Sequence, residues 1–139
     1  MQIDTGYFYF IKDSFFDFIK DSELMKNKEN SNKRPCYYCF KSTKYDKIIW
    51  FIPVSTKVDT IVFGNVANTY SVFLIQNMFP VTEKYIESQY IKNKVAIKLS
   101  NKLKVEIITK ATKVLNLYNH GMKNIIFPDI DRILEQLLK

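Results

Sequence analysis

Two short clusters carry the residues best suited to chemistry. Lys33 and Arg34 open an aromatic run, KRPCYYCFK, and Ser55, Thr56 and Lys57 follow the apolar run IIWFIPV. Guanidinium and ammonium groups neutralise phosphate charge, and hydroxyls hold a non-bridging oxygen or a neighbouring alcohol. Attack of a ribose 2′-OH on the adjacent phosphate needs an in-line nucleophile, a stabilised phosphorane and moving protons. Arg34, Ser55, Thr56 and Lys57 supply groups for the first two needs. A lysine of depressed pKa or a tyrosine could serve the third. On spacing alone, a plain turn is the commoner account of Ser-Thr-Lys after a strand.

Other chemistries fit poorly. The chain has three glycines, none clustered, so it lacks a phosphate-cradling loop. Its single histidine, His120, rules out a two-histidine acid–base pair and falls at an expected helix C-terminus, where a capping or surface role suits it. Nothing has metal-ligand spacing, so neither a metal nor another cofactor is expected. No G-x-S-x-G elbow occurs. Cys36 and Cys39 form a C-x-x-C, which invites a zinc or redox reading. On a strand, however, residues three apart point to opposite faces. No second cysteine pair exists to complete a zinc site. Two free thiols in a reducing cytosol are expected.

The elements that must position these groups follow from periodicity and punctuation. Tyr7–Ile11 is aromatic and β-prone, a first strand. Asp13 is placed to cap a helix over Ser14–Lys26, where Phe15, Phe16, Phe18, Ile19, Leu24 and Met25 recur at helical spacing. Residues 26–33, KNKENSNK, are polar and unpatterned. They form a loop that carries Lys26, Lys28 and Lys33, either a nucleic-acid-contacting flap or a solvated connector. Cys36–Lys41 is the second strand, and Ser42–Lys47 a turn. Ile48–Val54 is a third strand apolar enough to be covered on both faces. A short connection makes the pair an antiparallel hairpin. The start of the second strand then lies beside the end of the third, and Arg34 comes near Ser55, Thr56 and Lys57. Thr60–Phe63 reads as a short strand or loop, and Ser71–Met78 as a buried strand closed by Pro80. Thr82–Tyr90 fits a helical turn or a loop, and Val95–Leu99 a strand or a helix start. Asn101–Asn119 is a helix stopped at His120-Gly121. Pro128 opens a last amphipathic helix with acidic residues in its first turn.

A length of 139 residues suits one domain, 1–139, and 47% apolar with 15% aromatic residues suffices for a packed core. The net charge of +7 favours an anionic partner, nucleic acid ahead of a membrane surface. A lysine-rich surface without function is the alternative. The N-terminus lacks the marks of a secretory signal. No apolar run reaches the ~20 residues of a membrane span. A cytosolic protein without membrane contact is expected.

In order, GYFYFIKDSFFDFIKD, KRPCYY, IIWFIPVSTK and VFLIQNMFPVTEKYI resemble the toxins of type III toxin–antitoxin systems, the ToxN/AbiQ group and its CptN-like branch. The likeness spans about residues 6–90, and the order and spacing of the short motifs carry it. It implies an α+β fold, a compact, highly twisted antiparallel sheet flanked by helices and related to MazF/Kid-like toxins. It implies a sequence-specific, metal-independent endoribonuclease of phage defence that leaves a 2′,3′-cyclic phosphate. Its partners would be a repeat pseudoknot RNA antitoxin, which it processes itself, and cellular mRNA as substrate, in a toxin–RNA hetero-oligomer. Arg34, Ser55, Thr56 and Lys57 match the family's basic residue, hydroxyl pair and lysine. The hydroxyl order is inverted relative to a common Thr-Ser form, and Lys57 is offset by one. Lys26, Lys28, Lys33, Tyr37 and Lys41 would contact RNA, by phosphate pairing and base stacking. A non-catalytic RNA-binding protein on the same fold and a protein-neutralised toxin of the MazF type are the rival readings.

Overall fold

The alternation of side chains along a strand divides the apolar runs between two cores. In a computed structural model that describes residues 2–24, 35–63 and 69–139, five antiparallel strands form one sheet in the order β4-β3-β2-β1-β5. These are β1 (Phe8–Ile11), β2 (Tyr37–Lys41), β3 (Ile49–Pro53), β4 (Phe79–Val81) and β5 (Ile86–Gln89). Phe8, Tyr38, Phe40, Trp50 and Ile52 face one core. Tyr9, Ile11, Tyr37, Cys39, Ile49 and Phe51 face the other. The sheet is thus buried on both sides, which is why its strands read as nearly unbroken apolar runs.

Helices cover the two faces. On one side lie α2 (Val58–Phe63) and the long α4 (Asn101–Asn119), through Val58, Ile61, Ile107, Ala111 and Tyr118. The other side takes α1 (Asp13–Ile19), through Phe15, Phe16 and Ile19. α5 (Ile130–Leu137) reaches both cores, with Ile130 in one and Ile133 in the other. A separate hairpin, β6 (Ile91–Lys92) with β7 (Val95–Ala96), extends the chain beyond β5. Its turn places Asn93 and Lys94 at φ of 53° and 66°, the left-handed pair that a tight hairpin requires.

The middle of the chain departs from expectation. Residues 58–63 form α2 rather than a short strand or loop, with Val58 and Ile61 buried at helical spacing. Ser71–Met78 is not a strand. It contains the end of α3 (Thr69–Val72), a bridge of Phe73 to Val54, and a 3₁₀ turn over Ile75–Asn77. The strand falls one step later and includes Pro80. Because β4 pairs only with β3, it is an edge, where a residue without an N–H is tolerated. α1 stops at Ile19, well short of Lys26, because Lys20 turns to φ 53° and its N–H closes on the Phe16 carbonyl. Asp13 lies inside its first turn, and Lys12 holds the cap position.

Candidate phosphate-binding site

The antiparallel register sets which ends meet. Tyr37 lies opposite Pro53, and Lys41 opposite Ile49. The chain entering β2 and the chain leaving β3 are therefore at the same end of the hairpin. Ser55, Thr56 and Lys57 leave from that end, and all three are exposed. The loop is anchored on its first side by a ladder with the following segment. The Leu74 N–H donates to the Pro53 carbonyl at 2.9 Å, and the Ser55 N–H donates to the Val72 carbonyl at 2.8 Å. On its second side it runs directly into α2, where the Thr60 N–H closes on the Lys57 carbonyl at 3.0 Å. Two hydroxyls and an ammonium thus stand on a short loop fixed at both ends.

The remaining expected contacts separate into three groups. Arg34, Lys26, Lys28 and Lys33 lie outside the described residues. Tyr37 is described and is 1% exposed, packed against Phe16 and Phe79, so neither face of its ring is available to a base. Lys41 is exposed but sits at the opposite end of β2 from the Ser55–Lys57 loop, roughly 13 Å along the strand at ~3.3 Å per residue. Tyr37 thus stands at the loop's end of the hairpin with its ring buried, and Lys41 stands away from the loop.

The C-x-x-C follows strand geometry. Cys36 packs in one core and Cys39 in the other, so they cannot ligate one ion or pair without breaking the sheet. Burial pushes both thiols up to about 12, slightly offset by nearby backbone N–H groups. His120 occupies the C-cap of α4, exposed, with Nδ1 2.6 Å from the Asn116 carbonyl oxygen.

Sequence reading missed a polar cluster behind the loop. Asp59, in the first turn of α2, accepts from the Tyr90 hydroxyl at 3.3 Å and pairs with the Lys92 ammonium. Tyr90 is held to the sheet by its N–H on the Phe8 carbonyl (2.8 Å) and to the β6–β7 hairpin by the Ile97 N–H (3.1 Å). Burial, then the Asp59 charge, raises the Tyr90 hydroxyl above the usual tyrosine range. The cluster joins segments 31 and 33 residues apart, which no local spacing could reveal.

Two adjoining cavities of about 420 and 150 Å³ lie elsewhere, sharing Tyr118, Lys123, Ile130 and Asp131. The smaller is lined by Ser42, Lys44 and Tyr45 at the other end of the hairpin, and no residue of the Ser55–Lys57 loop lines either.

No protein-family model matches the chain, and no curated protein matches its sequence. Its fold does match a solved structure concerned with how a processed non-coding RNA regulates a bacterial antiviral system. The two superpose with a TM-score of 0.62 over 95% of this chain and 97% of that one, at 11% identity. The likeness shows a common fold, and the expected α+β architecture is the one found.

Proposed function

We propose that the chain is the endoribonuclease toxin of a type III toxin–antitoxin system, restrained by an RNA antitoxin that it cuts from a precursor. The observation that carries this reading is a fold shared, over nearly all of both chains, with a protein from an RNA-regulated antiviral system. A net charge of +7 and an exposed hydroxyl–lysine loop are consistent with an RNA partner.

In this reading a substrate phosphate settles against Ser55–Lys57. The hydroxyls of Ser55 and Thr56 hold a non-bridging oxygen and the attacking 2′-OH. The Lys57 ammonium neutralises the charge that develops on the phosphorane, an electrostatic effect that outweighs the others when the donor is already in place. Arg34 supplies the second cation that the family resemblance implies. The 2′-oxygen bonds to phosphorus as the 5′-oxygen leaves, giving a 2′,3′-cyclic phosphate and a 5′-hydroxyl. Cellular mRNA and the antitoxin precursor occupy the same loop site in turn.

Purified protein incubated with cellular RNA in EDTA, with the ends mapped, tests the reading. Cyclic-phosphate termini are expected. Lys57→Ala should slow cleavage by about 10²–10³-fold, the usual loss for one transition-state donor, and Ser55→Ala/Thr56→Ala by at least as much. Intact RNA tightly bound would instead identify a non-catalytic RNA-binding protein. Tandem short repeats before a terminator, upstream of the gene, identify the antitoxin as RNA; a small acidic reading frame there would make it a protein.

A further inference from the structure

The Ser55–Lys57 loop has its first anchor in the backbone ladder to Val72 and Leu74. Its second depends on where the start of α2 is held. We propose that Asp59 is a positioning residue for this loop, clamping the start of α2 to the β5–β6 corner through Tyr90 and Lys92. The proposal rests on the reading of the loop as a phosphate site.

Three observations carry it. Asp59 lies two residues beyond Lys57, so fixing its carboxylate fixes the backbone that presents the ammonium. Both carboxylate oxygens are engaged, Oδ1 by the Tyr90 hydroxyl and Oδ2 by the Lys92 ammonium. The corner that provides these donors is itself tied to β1 by the Tyr90–Phe8 hydrogen bond and by packing of the Tyr90 ring, tilted by 39°, against Phe10, with ring centres 5.7 Å apart. A six-residue helix has little rigidity of its own. The clamp supplies an external reference, the sheet.

Charge gives Lys92 a second effect. A lone carboxylate next to Lys57 would compete with an anionic substrate for that ammonium and would repel a phosphate. Pairing with Lys92 neutralises Asp59 and leaves Lys57, whose side chain has no partner among the described residues, to meet the ligand.

The test uses full-length protein in two arms. In the first, amide hydrogen exchange is measured without RNA. In Asp59→Ala, exchange at Thr60, whose N–H closes on Lys57, rises severalfold, while the Ser55 amide, held by Val72, stays protected. Unchanged exchange at Thr60 overturns the proposal whether or not the protein cuts RNA. In the second arm, Asp59→Ala lowers the cleavage rate constant about tenfold or more, with a smaller change in KM, as loss of positioning requires. Once Asp59→Ala is present, adding Lys92→Ala or Tyr90→Phe produces no further loss, because all three act through one carboxylate. Additive losses, or full cleavage despite raised exchange, overturn the proposal as well. If Asp59→Ala fails to fold, Lys92→Ala, at a half-exposed side chain, serves both arms alone. Wild-type protein that binds but never cuts RNA defeats the enzymatic reading and leaves the exchange arm standing.

Discussion

At the scale of single residues, burial decides which conspicuous groups do chemistry. Cys36 and Cys39 are the most reactive side-chain types in the hairpin, yet each thiol lies deep in a core. Desolvation penalises the thiolate, so the folded-state value rises from 9.0 to about 12. Only the thiolate is nucleophilic, so native protein at pH 8 should react with a thiol reagent no faster than it opens. Rapid stoichiometric labelling under native conditions would contradict this placement. The same shifts link stability to alkali. With the folded value raised, the stabilisation is complete below about pH 9 and is lost as the pH climbs toward 12. Tyr38 and Tyr118, both pushed above the usual tyrosine range by burial first, act in the same direction. Denaturant titrations should therefore show stability falling from pH 9 to 10.5; a rise across that range would be inconsistent. Tyr37 obeys the same rule. Fully packed against Phe16 and Phe79, it should tolerate truncation to Ala only at about 3–5 kcal/mol of stability, the cost of emptying a core aromatic site. An effect on RNA affinity without that destabilisation would show its ring to be accessible.

Among elements, what the sequence made legible was local, and what it hid was long-range. The nearly unbroken apolar run of 48–54 announced a strand covered on both faces and the short connection an antiparallel hairpin, and the 3.6-residue period of 101–119 announced α4 with matching bounds. The meeting of the β2 start with the Ser55–Lys57 end also followed from an antiparallel hairpin. Pro80 misled because a proline was taken to end a strand, whereas an edge position accommodates it within β4. Hidden entirely were the side-chain ties between distant segments, Asp59 with Tyr90 and Lys92, and Asp21 with α5. Asp21 is buried, 7% exposed, and accepts from the Asp129 N–H at 2.8 Å and the Glu23 N–H at 2.9 Å, with Arg132 Nη2 at 3.5 Å. Arg132 Nη1 also donates to the Ile19 carbonyl at the end of α1. This carboxylate staples the end of α1 to the start of α5, across the edge of the Phe15–Ile19–Ile133 core. Asp21→Ala leaves the part-buried Asp129 and Glu23 N–H donors without their acceptor and should cost about 1 kcal/mol in denaturant unfolding, with increased exchange at the start of α5. A neutral substitution there would mean that α5 docks through Ile130 and Ile133 alone.

For the whole molecule, the two-faced packing of the sheet places function at the periphery. Both faces are consumed by cores, so a large anionic ligand has only the strand ends, the loops and the helix surfaces to bind. That requirement suits a loop such as Ser55–Lys57, which leaves the sheet at a hairpin end and carries exposed polar groups. It also suits the charge. The excess of 21 basic over 14 acidic side chains cannot be buried, so it creates a field at the surface that draws in a polyanion before any specific contact forms. If RNA is the ligand, counterions must leave as each phosphate is neutralised, and log affinity must fall linearly with log salt, by about 0.7 per contact for a single strand. Removing one phosphate-contacting cation should then flatten that slope by a comparable amount. Lys57→Ala should reduce it by about 0.7 and weaken binding to every sequence alike, because a phosphate contact carries no base information. Tyr37→Phe, which keeps the buried ring, should leave the slope untouched. Filter-binding or fluorescence titrations of single-stranded RNA between 50 and 200 mM salt measure both, a span chosen because contacts of this kind weaken steeply across it. Affinity indifferent to salt, or a Lys57→Ala slope equal to that of the wild type, would remove the phosphate from the Ser55–Lys57 loop and with it the electrostatic basis of the proposed reaction.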